Sequence, residues 1–142
     1  LIDWLENTYK GRFRLYGQDG LGVRRGEALN QIYANSRVVV GDTLCLGYTY
    51  PDYWSDRIYE TTGRGGFLIH PRIEGINTQF VDGEEVVFYD YDNFPQLKSL
   101  IDYYLANPEE REAIRKAGHE RTKNEHTYKH RWTTILNTLG LK

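Results

Sequence analysis

The chain has 142 residues, 39% hydrophobic and 27% charged, with 18 basic against 20 acidic side chains and a formal net charge of −2. That balance excludes a disordered polymer, and the lack of a large cationic field excludes a nucleic-acid or anionic-membrane binder of the electrostatic kind. The length suits a single domain over residues 1–142, able to bury roughly two thirds of its unfolded surface. Cys45 is the single cysteine, so neither an intramolecular disulfide nor a zinc set is expected, and a reducing, cytoplasmic setting follows. No apolar run approaches the ~18 residues of a membrane span, and no signal peptide is expected. Methionine is absent and the chain opens on Leu1-Ile2-Asp3-Trp4-Leu5, which reads as mid-helix and predicts a piece of a longer protein.

In chain order, residues 3–9 predict the last turns of an amphipathic helix that Gly11 ends. Arg12-Phe13-Arg14-Leu15-Tyr16-Gly17 alternates and stops at glycine, as a short strand does, and a glycine-rich loop runs on to Gly22. Leu29, Ile32 and Tyr33 share one helical face. Arg37-Val38-Val39-Val40-Gly41-Asp42 is a β-branched run that predicts a strand buried on both faces. A long loop rich in Gly, Tyr and Pro follows from residue 43 to about 53, then a short helix over 55–62. Residues 63–66 close that helix, Phe67-Leu68-Ile69-His70 is the next strand, and the Asp82-Gly83 turn precedes a strand over 85–89.

Three helices finish the chain. Leu97, Leu100, Ile101, Tyr104 and Leu105 form an apolar stripe, Asn107-Pro108 starts a charged helix with Ala113, Ile114 and Ala117 inward, and Thr127 caps a last helix. Its stripe of Tyr128, Trp132, Ile135, Leu136 and Leu139 is expected in the core, and Gly140 ends it. Four strands alternating with helices predict an α/β fold, a Rossmann-like parallel sheet with helical crossovers and C-terminal helices.

Ligands of such sheets bind beyond the carboxyl ends of the strands, where loops meet helix N-termini. The loop from Asp42 to Trp54 is long and aromatic, and long loops in compact domains are usually functional. It leads into Ser55-Asp56-Arg57-Ile58-Tyr59-Glu60, where free backbone N–H groups at the helix start would attract a phosphate and Arg57 would add a forked contact. Glu60, one turn on, has the two acceptor oxygens that a ribose diol needs. Ribose, diphosphate and sugar in line describe a nucleotide sugar. A plain Arg57–Glu60 surface pair at i, i+3 fits the same spacing.

Several motifs have a bland alternative that is preferred. Asp90-x-Asp92 resembles a metal-binding pair, but Asn93 with Gln96 three residues on reads as a helix cap. Gly63-x-Gly65-Gly66 lies after a helix and before a strand, the wrong order for a dinucleotide loop, and Gly20-x-Gly22 has Arg25 where a third glycine would stand. His119, His126 and His130 read as packing or capping residues, and Cys45 as a thiol without a histidine partner. His70, at the carboxyl end of a strand, is a candidate ligand contact.

The order Arg57-Ile58-Tyr59-Glu60-x-x-Gly63-x-Gly65-Gly66-Phe67-Leu68, Asp82-Gly83-Glu84-Glu85-Val86-Val87-x-Tyr89, Leu97-x-x-Leu100-Ile101-x-Tyr103-Tyr104-Leu105, Pro108-Glu109-Glu110-Arg111, Gly118-x-x-Arg121 and His126-Thr127-Tyr128-x-His130-Arg131 resembles the C-terminal half of GT-B glycosyltransferases, from about residue 12 to the end. The branch it most resembles is the spore-maturation CgeB-like group. The resemblance implies a nucleotide-sugar donor, a partner N-terminal domain that carries any general base, an acceptor of unknown identity, and neither metal nor other cofactor. Retaining members carry Glu, seven residues, Glu; here Asp52 and Glu60 keep that spacing, with Tyr53 and Ser55 in place of glycines. By the resemblance Glu60 holds the ribose, Asp52 touches the donor sugar, Ser55, Asp56 and Arg57 border the diphosphate, and Tyr16 and Gly17 lie against the base. Asp52 and Arg57 are the catalytic candidates, Arg57 by stabilising the leaving diphosphate. A non-catalytic Rossmann-like module binding a nucleotide or a protein is the alternative.

Overall fold

The computed structural model describes residues 1–43, 45 and 47–141. Leu44 and Leu46, inside the predicted long loop, lie outside the described residues, so that loop is reported only in part. The elements are α1 (Ile2–Thr8), α2 (Gly26–Asn35), β1 (Val39–Val40), α3 (Arg57–Gly63), β2 (Leu68–Pro71), β3 (Val87–Tyr89), α4 (Phe94–Ala106), α5 (Pro108–Glu125) and α6 (Tyr128–Thr138). A 3-10 turn, Ile76–Thr78, lies between β2 and β3.

The three strands form one parallel sheet in the order β1-β2-β3, with Val39 beside Leu68 and Ile69 beside Val87. Successive strand residues point to opposite faces, so each strand feeds two cores. Phe67, Ile69, Val87 and Tyr89 pack with Leu5 and Tyr9 near α1, with Leu97, Ile101 and Tyr104 of α4, and with Ile114 of α5. On the other face Leu68, Val86 and Phe88 pack with Ile58 of α3 and with Ile73, Ile76 and Phe80. Helices on both faces are what parallel strands need to exclude water.

Four expectations are corrected. Residues 12–17 form no strand: the segment closes on itself through a Gly17–Gly22 bridge and a Leu21 N–H to Leu15 carbonyl bond of 2.9 Å, which satisfies its backbone without a sheet neighbour. The sheet therefore has three described strands, not four. β1 is half-buried rather than buried on both faces, because it is an edge of the described sheet. The inner face of α5 is Arg111, Ile114, Gly118 and Thr122, while Ala113 and Ala117 are exposed. The stripe of α6 is not core: Tyr128 is 83% and Trp132 61% exposed, and Ile135, Leu136 and Leu139 are exposed with them.

The capping signals hold. The Asn93 side chain accepts from the Gln96 N–H at 3.1 Å, and Thr127 and His130 form a reciprocal capping box at the start of α6. Asn107 differs, since its side-chain amide donates back to the Tyr103 carbonyl at 2.8 Å.

The face of α5 is chosen by its fit to α3. The Thr62 and Thr122 hydroxyls meet at 2.6 Å, and Arg111 donates to the Tyr104 carbonyl at 2.9 Å. Gly118 lies where α5 meets the chain entering β3, and a Cβ there would collide with the Glu85 carbonyl. Gly118→Ala is therefore expected to lower stability by about 1–3 kcal/mol, as overpacking does. Urea unfolding checks this, and wild-type stability in that variant would contradict the close approach.

Candidate functional site

The chain reaches α3 through a tight turn at the carboxyl edge of the sheet. Tyr50 and Tyr53 form an isolated bridge, and Asp52 between them adopts a left-handed conformation with φ 56°. Its N–H donates to the Glu74 carbonyl at 2.9 Å, and its carboxylate lies against the backbone of Gly75. Asp52 thus ties the entry loop to the segment after β2.

The start of α3 differs from expectation. The buried Ser55 hydroxyl accepts from the Arg57 N–H at 3.2 Å. Ile58 N–H donates to the Ser55 carbonyl at 3.3 Å, and the N–H groups of Tyr59 and Glu60 share the Asp56 carbonyl at 3.0 Å each. The N–H groups from Arg57 to Glu60 are therefore engaged within the chain, by the Ser55 hydroxyl and the Ser55 and Asp56 carbonyls, rather than free for an anion. The Asp56 and Arg57 side chains are exposed at this point.

Glu60 projects from the first turn of α3 with 40% of its side chain exposed and pairs with Arg64 at 3.6 Å, at i, i+4. The Arg57–Glu60 pair that the spacing allowed is not the ion pair observed. Arg64 in turn donates to the Asn30 side chain at 2.9 Å and covers the Tyr33 ring at 5.7 Å, so α2 holds it. Burial, and next the charge of Glu60, push the Tyr33 hydroxyl above its usual range. Sequence reasoning missed this α2–α3 clamp. Its only signal was Tyr33 on the apolar face of α2.

Tyr16 is 39% exposed and lines a cavity of about 330 Å³ with Gln31, Ile32, Asn35 and Ser36. Glu60, Arg57 and Asp52 do not line it. The structure thus gathers Ser55, Asp56, Arg57 and Glu60 on α3 and its entry, while Tyr16 lines a separate cavity with residues of α2.

In the D-x-D pair Asp90 faces Arg72 at 3.5 Å, and Arg72 is also hydrogen-bonded to Asp82 at 2.6 Å. His119 contacts the Thr62 carbonyl at 3.0 Å, and His130 completes the Thr127 cap, so both are packing or capping residues as expected.

His126 does more than pack. Its Nε2 lies 3.0 Å from the Gln79 carbonyl, which can only accept, so Nε2 carries a proton. Its Nδ1 accepts from Arg131 at 2.9 Å. Arg131 also covers the Tyr59 ring at 5.3 Å, and Tyr59 links Trp54 (3.1 Å) to the Gln79 side chain (2.8 Å). This node joins the entry of α3 to the α5–α6 corner. Burial chiefly, then the charges of Arg131 and Arg121, hold the imidazole below the usual histidine range. His70 is likewise lowered by burial.

A family model described as glycosyl transferase-like matches residues 1–137. No curated protein sequence matches significantly. Among solved structures, HepE of Anabaena in complex with UDP is similar, with a TM-score of 0.69 and 16% identity over 84% of this chain and 31% of that one. The same figures hold for its complex with UDP-glucose. Sucrose-phosphate synthase from Thermosynechococcus elongatus is similar with a TM-score of 0.66 and 17% identity, over 97% of this chain and 33% of that one. At such identities the likeness is one of fold, an α/β glycosyltransferase domain. The chain spans about a third of the length of these structures.

The two lowered histidines set a sign for pH. The unfolded chain takes up their protons first, near the ordinary value of about 6.5, so their contribution to stability is complete above that pH and is lost as pH falls through the lower folded values. Thermal melts from about pH 7.5 down to about pH 5 are expected to show a falling midpoint, and His126→Gln a shallower fall. An identical slope in that variant would show that His126 does not titrate with unfolding.

Proposed function

The chain belongs to the glycosyl transferase-like family, and from that membership we propose that it is the donor-binding half of a two-domain glycosyltransferase using a nucleoside-diphosphate sugar. Glu60 carries the reading: a half-exposed carboxylate one turn into a helix that starts at the carboxyl edge of a parallel sheet. Its oxygens take the ribose diol, and Arg64, anchored by Asn30, orients them. The exposed Arg57 guanidinium meets the diphosphate, bordered by Ser55 and Asp56, and Asp52 faces the donor sugar. Tyr16 and Gly17 border the base, which the cavity beside Tyr16 would take.

In the reaction the bond from the sugar anomeric carbon to the diphosphate oxygen breaks. A bond to an acceptor oxygen forms, and the acceptor loses a proton. This chain's part is electrostatic: Arg57 offsets the charge that grows on the leaving diphosphate. The reading needs no resident metal or cofactor. The base that accepts the proton belongs to an N-terminal half, and the acceptor is unidentified. The motifs from Arg57 to Glu60 and from His126 to Arg131 support the CgeB-like branch, and a free thiol at Cys45 is compatible with a cytoplasmic site of action.

A non-catalytic nucleotide-binding module is the second reading, favoured by the Glu60–Arg64 ion pair and by the engagement of Asp52 with the Glu74–Gly75 backbone. Calorimetry and thermal shift test donor binding, and sugar transfer by the complete protein separates the readings. HepE was solved with UDP-glucose, which makes that ligand the first probe, beside GDP- and dTDP-sugars. A donor at a hundred times its Kd stabilises by about 2.7 kcal/mol. Glu60→Ala is expected to remove that shift for the nucleotide sugar that gives it. A shift of unchanged size in Glu60→Ala would refute the ribose role.

A further inference from the structure

His70 lies on β2 and is 1% exposed. It falls in register beside Phe88, on the sheet face that α3 covers. Its Nδ1 is 2.8 Å from the Pro71 carbonyl. A carbonyl oxygen only accepts, so in the neutral ring Nδ1 carries the proton and Nε2 is a bare lone pair. Among the described residues that Nε2 has no hydrogen-bond partner, and it is out of contact with solvent. A buried acceptor left without a donor is a cost that a native fold does not keep without reason.

The surroundings say what kind of group is missing. The ring edge lies against Gly41, where a Cβ would stand 2.5 Å from Cδ2 and 3.4 Å from Nε2. The glycine is needed by the His70 ring itself, which takes the space a Cβ would fill. Gly41 is also where the chain leaves β1, its N–H bonded to the Ile69 carbonyl at 2.8 Å, so the ring lies at the carboxyl edge of the sheet. Asp42 is the charged neighbour, and its carboxylate is turned to the Thr43 N–H at 2.8 Å.

We propose that Nε2 of His70 accepts a hydrogen bond from a hydroxyl group of the bound nucleotide sugar, which makes His70 a binding and specificity-determining residue. The inference rests on the donor-binding reading above and adds to it a named atom with a defined polarity. A lone pair held by that tautomer takes an O–H donor. It refuses a phosphate oxygen, which brings only acceptors. Nε2 is closed off in the unliganded chain, so binding requires the Gly41–Asp42 backbone to move off the ring.

The test uses the full chain labelled with nitrogen-15, observing the histidine side-chain nitrogens as UDP or UDP-glucose is added. UDP offers ribose hydroxyls, and UDP-glucose adds those of the sugar. The His70 Nε2 resonance is expected to move toward the hydrogen-bonded position, with both ligands if the ribose is the donor and with UDP-glucose alone if the glucose is. His70→Phe, which keeps the ring and loses the acceptor, is expected to bind about three- to tenfold more weakly. His70→Gln, which returns an acceptor oxygen, is expected to recover most of that. An Nε2 resonance unmoved by saturating ligand, or wild-type affinity in His70→Phe, overturns the proposal. If none of UDP, UDP-glucose and the GDP- and dTDP-sugars binds the wild-type chain, the donor-binding reading fails and this inference falls with it. If they bind and His70→Phe is indifferent, this inference alone falls.

Discussion

Every residue of β2 from Leu68 to Pro71 is buried. A strand closed on both faces must divide its side chains between two separate cores, and the rest of the fold follows from that division. Ile69 goes to the core of α1 and α4, and Leu68 to the core of α3. The backbone groups of β2 are used on both sides as well, by β1 and by β3. Such a strand holds the start of α3 and the side chain of His70 at one fixed edge.

That edge is where charge is concentrated under constraint. Glu60 faces Arg64, which α2 grips through Asn30 and Tyr33, and Asp52 is tied to the backbone of Glu74 and Gly75. A half-exposed ion pair at 3.6 Å is worth little to stability, because water screens it. Its consequence is orientation: the carboxylate faces an arginine that α2 holds in place. The helix start is different, since the Ser55 hydroxyl and the Ser55 and Asp56 carbonyls engage the N–H groups from Arg57 to Glu60. Arg57 is the exposed cation at this helix start.

The α5–α6 corner is held by a polar node packed on the buried Phe80 ring. Gln79 receives Arg121 and His126 at its carbonyl and Tyr59 at its side chain, and Arg131 bridges His126 to the Tyr59 ring. Hydrogen bonds of this kind are directional, so they set the angle at which α6 leaves α5. Beyond the node α6 carries Trp132 and Leu139 into solvent.

Much of this was legible in the residues. The caps at Asn93 and Thr127, the stripe of α4 and the β-branched or aromatic runs of β2 and β3 are local signals, because a cap or a period is set by neighbours within a few positions. The Glu60 position within α3 was legible for the same reason. What the chain order could not supply was the partner across space. The inner face of α5 depended on the fit of Gly118 and Thr122 against Glu85 and Thr62, the failed strand at 12–17 on having no neighbour to pair with, and the partner of Glu60 on an arginine steadied by a different helix. The apolar stripe of α6 states the limit most clearly. Its spacing determined by itself that one face of that helix is apolar, but only the tertiary structure decided that the face is bare, because burial is a property of what packs against a surface and not of the surface alone.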